Sequence, residues 1–111
     1  GMPGTLNLER SDKVNAFIDY AFENGKLLCA ICAAPSILGH KGMLRGKKAV
    51  CFPGFESELE GAELSDSFVV SHGNIITAKG MGSAVKFGLA IASVFVGKAK
   101  AKKIEESLQC S

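Results

Sequence analysis

The residue with the clearest chemical potential is Cys32, which follows a short apolar run and precedes a proline-containing stretch. The run, residues 26–31, is too short for a helix and lacks polar alternation, which predicts a central parallel strand covered on both faces. Pro35 suits the first turn of a following helix. We therefore expect the Cys32 thiol at the carboxyl edge of a sheet and at a helix amino terminus, whose dipole favours the nucleophilic thiolate.

Small residues lie two positions to either side of Cys32, at Ala30 and Ala34. A nucleophile elbow needs such residues so that its strand and helix can approach closely. In an elbow, the backbone N–H of Ala33 would point into the site as one oxyanion-hole donor. The spacing also leaves open a buried, inert cysteine, which is the commonest fate of this residue type.

The elements around Cys32 are expected to alternate between helices and strands. Ser11 can cap a helix that ends at Asn24-Gly25, since apolar residues recur between them at helical spacing. The remaining expected elements are a short helix (residues 36–40), a strand (48–52), a loop or short acidic helix (55–62), two strands joined across His72-Gly73 (66–71 and 74–79), a helix (83–96) and a final helix with Ala101, Ile104 and Leu108 on one face. The helix over residues 83–96 is apolar nearly all round, which predicts deep burial. This order indicates an α/β layered fold.

Size and composition restrict the class of protein. A chain of 111 residues accommodates one domain, here residues 1–111, or part of one. Hydrophobic residues make up 47% and charged residues 22%, which excludes a disordered chain. The net charge of +2 gives no strong field, so we expect no nucleic-acid partner, and the apolar run 88–96 is too short to span a membrane. Four cysteines without disulfide-type spacing or a signal sequence predict free thiols in the cytoplasm.

Three blocks of sequence occur in an order typical of one protein family: AICAAP (residues 30–35), FPGFE (52–56) and GNIITAKGMG (73–82), the last followed by an apolar helix. They resemble successive motifs of the ThiJ/PfpI superfamily, to which the Parkinson-associated deglycase-like proteins belong. The segment GMPG (residues 1–4) with Asn7-Leu8 also resembles the family's glycine-rich loop, which faces the nucleophile. The chain is therefore identified as the carboxy-terminal portion of a member of this superfamily, with its class I glutamine amidotransferase-like fold.

The resemblance implies a flavodoxin-like sandwich with a mostly parallel sheet, usually in a homodimer, and Cys32 as the catalytic or redox-sensing thiol. It implies that the backbone of Gly1 or Met2 completes the oxyanion hole with Ala33. The family motifs place six further residues at the site: Ala34, Pro35, Phe52, Pro53, Gly80 and Met81. The implied activity is that of a glyoxalase or deglycase on a small-molecule carbonyl substrate, with no cofactor and no metal. The alternative is a redox sensor or stress-response protein without turnover.

Some positions depart from the family pattern. Ala33 stands where the intracellular proteases of the family have a histidine, so we expect no protease activity, and Phe52 stands where the human deglycase has one. Family members also carry a segment before the glycine-rich loop, with further strands and a glutamate that shares a proton with the cysteine. Glu56 and Glu58 could approach the site but are expected to be solvated loop charges. We therefore expect a chain that is incomplete at its amino terminus and lacks a complete active site by itself. The family has an older description as thiamine (thiazole phosphate) biosynthesis proteins, but we see no phosphate-binding cluster in this sequence that would support that function.

The other cysteines and the histidines have structural interpretations. Cys29 and Cys32 formally fit C-x-x-C, but residues three apart in a strand point to opposite faces, so we expect no metal there. Cys51 is expected in the core or at a sheet edge, and Cys110 as an exposed terminal thiol. His40 and His72 are expected on the surface. Apolar surface on both faces of strand 26–31 predicts a homodimer or larger assembly.

Overall fold

The computed structural model describes residues 1–109, so Cys110 lies outside the described residues. In chain order, the helices of this part are α1 (Gly4–Glu9), α2 (Asp12–Glu23), α3 (Pro35–His40), α4 (Ala84–Val96) and α5 (Lys98–Ser107). The strands are β1 (Leu28–Ile31), β2 (Lys48–Ala49), β3 (Glu63–Leu64), β4 (Val69–His72) and β5 (Ile75–Ala78), with 3-10 turns at Glu56–Glu58 and Met81–Ser83. This mixture of helices and strands confirms the expected α/β class.

Strand β5 lies at the centre of the main sheet. It pairs in parallel with β1, with Ile31 opposite Ala78, and antiparallel with β4, with His72 opposite Ile75. All four of its residues are buried, as is usual for a strand that has neighbours on both sides and cover on both faces. Strand β1, expected to be central, is instead an edge strand of the sheet formed within residues 1–109.

The hairpin and the first long helix follow the sequence prediction. β4 and β5 are joined at Gly73, whose positive φ of 61° suits a tight turn. The side chain of Ser11 caps α2 by accepting a hydrogen bond from the N–H of Val14 at 3.3 Å. The helix ends at Glu23, just before Gly25 with a φ of 65°. The amphipathic pattern of α2 therefore positions a helix whose apolar side packs on the core.

The strand expected over residues 48–52 is shorter than predicted. β2 pairs only at Lys48 and Ala49, in parallel with β3. Beyond it, the N–H of Val50 donates to Oγ1 of Thr77 at 3.1 Å, and the N–H of Phe52 donates to the carbonyl oxygen of Cys32 at 2.8 Å. The chain leaves the strand ladder because these donors bond to β5 and to the residue after β1.

Helix α4 is more exposed than its sequence predicts. None of its residues is buried, and Phe95 is 74% exposed. It contacts α5 and strands of the main sheet, which cover only one side of a helix that is apolar nearly all round. In α5, Ala101 is buried as expected, whereas Ile104 and Leu108 remain exposed. No helix within residues 1–109 has both the length and the hydrophobicity to cross a membrane.

A close backbone contact joins α3 to the 3-10 turn Glu56–Glu58. A Cβ atom added at Gly39 would lie 2.1 Å from the carbonyl oxygen of Glu58 and 2.9 Å from Cα of Leu59. Both contacts are to backbone, which cannot rotate away. Glycine at position 39 therefore allows α3 to pack directly on this turn.

Replacing Gly39 by alanine should lower the free energy of unfolding by about 3 kcal/mol, because the added methyl group overpacks this contact. Gly88→Ala is the matched control, since a Cβ at this exposed position in α4 meets no atom within 4 Å. The control should gain about 0.5–1 kcal/mol from helix propensity. Urea unfolding of both variants measures the difference, and equal stabilities would contradict the tight packing of α3.

Candidate active site

Cys32 occupies a strained backbone conformation between β1 and α3. Its φ is 67°, in the left-handed region that side chains with a Cβ rarely adopt. Its N–H donates to the carbonyl oxygen of Ala78 at 3.0 Å, and its own carbonyl accepts the N–H of Phe52 at 2.8 Å. The conformation costs about 1–2 kcal/mol, which these two hydrogen bonds help to offset. A strained residue between a strand and a helix has the geometry of a nucleophile elbow.

The residues after Cys32 form the first turn of the elbow. The N–H of Ala34 donates to the carbonyl of Ile31 at 3.2 Å, and the hydroxyl of Ser36 donates to the carbonyl of Ala33 at 2.7 Å. The N–H of Ala33 donates no hydrogen bond to any group within residues 1–109. This N–H is therefore available as the oxyanion-hole donor that the sequence suggested.

Four of the expected lining residues meet around one open cleft. Phe52, Pro53, Gly80 and Met81 line a volume of about 220 Å³, together with Phe68, Lys79, Gly82 and Ser83. Its two walls follow directly from the residues that hold Cys32, since Phe52 bonds to the Cys32 carbonyl and Gly80 lies two residues after Ala78. The cleft thus flanks the elbow, although Cys32 is not among its lining residues.

The Phe52 ring packs on Gly80, where an added Cβ would lie 3.2 Å from Cδ2 of the ring. Ala34 and Pro35 lie elsewhere: Pro35 is buried at the start of α3, and Ala34 lines a separate recess that also contains Cys29. The family motifs therefore fall into two groups in space, one at the cleft and one at the base of the elbow.

Gly1 and Met2 lie just before α1. The sequence predicted a glycine-rich loop in this segment and did not predict the helix. The carbonyl of Gly1 accepts hydrogen bonds from the N–H of Thr5 at 2.8 Å and from its hydroxyl at 3.4 Å. Thr5 is buried, which anchors this end of the helix. No hydrogen bond within the described chain joins Gly1 or Met2 to Cys32.

His40 forms a bridge between two carboxylates that was not predicted from the sequence. Its Nδ1 lies 2.5 Å from Oε2 of Glu9 in α1, and its Nε2 lies 2.9 Å from Oε2 of Glu58. Hydrogen bonds to Glu58 and Glu9 raise the pKa of His40, because both ring nitrogens can donate to carboxylates only in the imidazolium form. His40 is exposed, as expected, but it ties α1 and the turn Glu56–Glu58 to α3. Its partners are distant in sequence, so no local pattern could reveal the bridge.

The remaining cysteines differ from Cys32 in their surroundings. Cys51 is buried, and burial, followed by the charge of Glu56, raises its pKa to about 11. Cys51 therefore stays a protonated thiol at neutral pH. Cys29 is exposed on β1, and no group of three or more His, Cys, Asp or Glu side chains in residues 1–109 could hold a metal ion.

The two glutamates near the site have other partners. Oε1 of Glu56 accepts the N–H of Gly54 at 2.7 Å, and hydrogen bonds to backbone N–H groups lower the pKa of this exposed carboxyl. Glu58 binds His40. No hydrogen bond within residues 1–109 brings a carboxylate or an imidazole to the Cys32 sulfur.

The comparison with known proteins agrees with this geometry. The DJ-1/PfpI family profile matches residues 1–94. The chain belongs to the DJ-1/PfpI family. It is 33% identical over 110 residues to "Protein dj-1beta" of Drosophila melanogaster, and the aligned segment covers 97% of this chain and 59% of that protein. The solved structure "Toxoplasma gondii DJ-1, oxidized" superposes with a TM-score of 0.91 at 34% identity, over 98% of this chain and 60% of that one. The expected ThiJ/PfpI membership and flavodoxin-like fold are confirmed.

Two further relatives carry names that state an activity. The chain is 28% identical over 110 residues to "Glutathione-independent glyoxalase DJR-1.2" of Caenorhabditis elegans, covering 97% of this chain and 59% of that protein. It is 32% identical over 83 residues to "Deglycase PH1704" of Pyrococcus horikoshii, covering 70% of this chain and 50% of that protein. The chain thus spans between half and three fifths of the length of these DJ-1/PfpI relatives.

Replacing Cys32 by glycine should stabilise the protein by about 1 kcal/mol relative to Cys32→Ala, because glycine adopts a φ of 67° without the steric cost of a Cβ. Both variants lack the thiol, so their difference isolates the backbone strain. Thermal unfolding of the pair measures it. A Cys32→Ala protein as stable as Cys32→Gly would argue against a strained elbow.

The His40 bridge should make stability depend on pH. Because the folded pKa of His40 lies above the ordinary value of 6.5, its contribution is fully present below pH 6.5 and is lost as pH rises through the folded pKa. The stability difference between the parent and His40→Gln should therefore shrink as the pH rises above about 6.5. It should stay below about 1 kcal/mol because the partners are partly exposed to solvent. Urea unfolding across this range tests the effect, with His72→Gln as control, and a difference that grows with pH would contradict it.

Proposed function

We propose that this chain carries the nucleophile of a cofactor-independent cysteine enzyme that acts on small reactive carbonyl compounds, as a glyoxalase or deglycase does. The observation that carries the proposal is the left-handed Cys32, held by Ala78 and Phe52 at the edge of a cleft. The names of the C. elegans and P. horikoshii relatives support this reaction class. The high pKa of Cys51 further favours Cys32 as the reactive thiol.

The first chemical step would be addition of the Cys32 thiolate to an aldehyde carbon. A sulfur–carbon bond forms, the electron pair of the carbonyl double bond moves to oxygen, and protonation of that oxygen gives a hemithioacetal. The N–H of Ala33 would stabilise the developing negative charge, with the backbone of Gly1 or Met2 as the second donor. This second donor is part of the proposal and rests on the family resemblance.

The second step depends on a base. For a 2-oxoaldehyde, the base removes the proton from the hemithioacetal carbon, and the neighbouring carbon is protonated to give a thioester. Water then hydrolyses the thioester to a 2-hydroxy acid and releases the Cys32 thiol. Glu56 accepts a hydrogen bond from Gly54, and Glu58 binds His40, so neither carboxylate is assigned as the base. We assign this role to a different group.

Methylglyoxal consumption tests the proposal. In a full-length protein that contains this chain and supplies the base, the parent should consume it at least about 100-fold faster than Cys32→Ser, because the nucleophile forms the covalent intermediate. Cys29→Ser is the matched control, since it removes an exposed thiol from the same strand-to-elbow segment and should keep the parent rate. Equal rates for the parent and Cys32→Ser would contradict a catalytic Cys32.

A redox function is the second candidate, favoured by the solved relative "Toxoplasma gondii DJ-1, oxidized". In this case peroxide, rather than an aldehyde, would accept the nucleophilic attack of Cys32. Two peroxide equivalents would convert the thiolate to a sulfinate and release water. The methylglyoxal experiment separates the two candidates, since a sensor without turnover gives equal rates for the parent and Cys32→Ser.

The working state is further proposed to be a homodimer or a larger assembly in the cytoplasm. Helix α4 leaves a run of large apolar side chains exposed at its end, namely Val94, Phe95 and Val96. Soluble monomers rarely leave a large apolar patch in contact with water, so a second copy of the chain is a suitable cover. The free thiols of the described cysteines suit a reducing compartment.

A further inference from the structure

Two lysine ammonium groups converge on one aromatic ring at the cleft beside the elbow. Nζ of Lys79 lies 5.5 Å from the centroid of the Phe68 ring, and Nζ of Lys86 lies 5.0 Å from it. Each contact is within the range of a cation–π interaction. The ring thus holds two like charges close together, at the border of a cleft that Lys79 and Phe68 line.

Neither ammonium group has a carboxylate partner in the described chain. The ion pairs within residues 1–109 involve His40, Lys41 and Arg45, and none involves Lys79 or Lys86. The charge of Lys79 does reach Glu56, where it makes a minor contribution to a lowered pKa, but the two side chains form no ion pair. Lys79 also lines a neighbouring recess with Glu56 and Asp66, but no ion pair within residues 1–109 neutralises either ammonium group, and two such cations favour an anionic ligand.

The other side of the cleft is apolar. Phe52 is 46% exposed and Met81 is 93% exposed. Exposed side chains of this size gain free energy when a ligand covers them. The volume of about 220 Å³ lies below the 300–1,000 Å³ that is typical for drug-sized ligands, so it suits a compound with a single ring or a short chain.

We propose that this cleft selects aldehydes that combine a small apolar body with a carboxylate. The carboxylate binds to the ammonium groups of Lys79 and Lys86, and the apolar body lies against Phe52 and Met81. This assignment names the substrate class of the Cys32 site and in that respect rests on the proposed function. The binding of the carboxylate itself requires only the lysines and does not require the thiol.

The binding test uses 4-carboxybenzaldehyde as the acidic probe and its methyl ester as the neutral probe. Titration followed by NMR in the Cys32→Ser protein measures affinity without covalent addition. The acid should bind about fivefold more tightly than the ester, which is the upper range for a solvent-exposed ion pair. Lys79→Met and Lys86→Met keep the apolar stem of the side chain and should each reduce this preference for the acid over the ester.

Lys98→Met is the matched control, because this exposed lysine begins α5 and does not line the cleft. It should bind both probes as the parent does. Equal affinity for acid and ester, or lysine variants that keep the full preference for the acid, would overturn the inference. A preference lost equally in Lys98→Met would also overturn it, since the effect would then come from net charge.

The binding experiment and the methylglyoxal experiment can fail independently of each other. If the parent and Cys32→Ser consume methylglyoxal equally, catalysis by Cys32 fails while a lysine-dependent preference for the acid still stands. If Cys32→Ser abolishes consumption but the lysine variants do not alter the preference for the acid, the substrate class fails alone.

Discussion

The backbone of Cys32 is held on both sides of its Cα, because its N–H donates to the carbonyl of Ala78 and its carbonyl accepts from the N–H of Phe52. These contacts join three segments that are far apart in sequence: the end of β1, the end of β5 and the stretch after β2. The register of β1 against β5 places Ile31 opposite Ala78, so the next residue meets the end of β5 and has to turn. The left-handed conformation of Cys32 and the early departure of the chain from β2 both follow from satisfying these hydrogen bonds.

The positioning of the surrounding elements depends on a second set of contacts, which lies behind the elbow. Gly39 allows α3 to touch the turn Glu56–Glu58, and His40 connects that turn to α1 through Glu9 and Glu58. One six-residue helix thus links the segment that begins with Gly1 to the segment that carries Phe52. A charged, partly exposed bridge contributes little to global stability, but it can fix the relative placement of short elements that have few other contacts.

Features encoded by local sequence were predictable, whereas features that depend on distant pairs were not. The Ser11 cap and the hairpin at Gly73 each arise from residues within a few positions of one another. The turn at Cys32 is indicated by its local residues 30–35, but its left-handed conformation also depends on Ala78 and Phe52, which are distant in sequence. The bridge at His40 was invisible because its partners come from two other segments. The exposure of Phe95 was mispredicted for a related reason: an apolar helix surface indicates that burial is favourable, but it does not specify which surface provides the cover. The lysines around Phe68 carried no recognisable motif, so only the fold could bring them together.

The central position of β5 also determines when, during folding, the backbone around Cys32 can take its final conformation. β5 meets β4 across a turn of two residues, and this pairing closes only a short loop. Its pairing with β1 brings together residues that are separated by much of the chain, and the entropy lost in closing such a loop is larger. The carbonyl of Ala78 can receive the N–H of Cys32 only after this closure. A chain that has formed its hairpin but not its parallel pair therefore lacks the hydrogen bond from Cys32 to Ala78, and the left-handed conformation of Cys32 is a property of the completed topology.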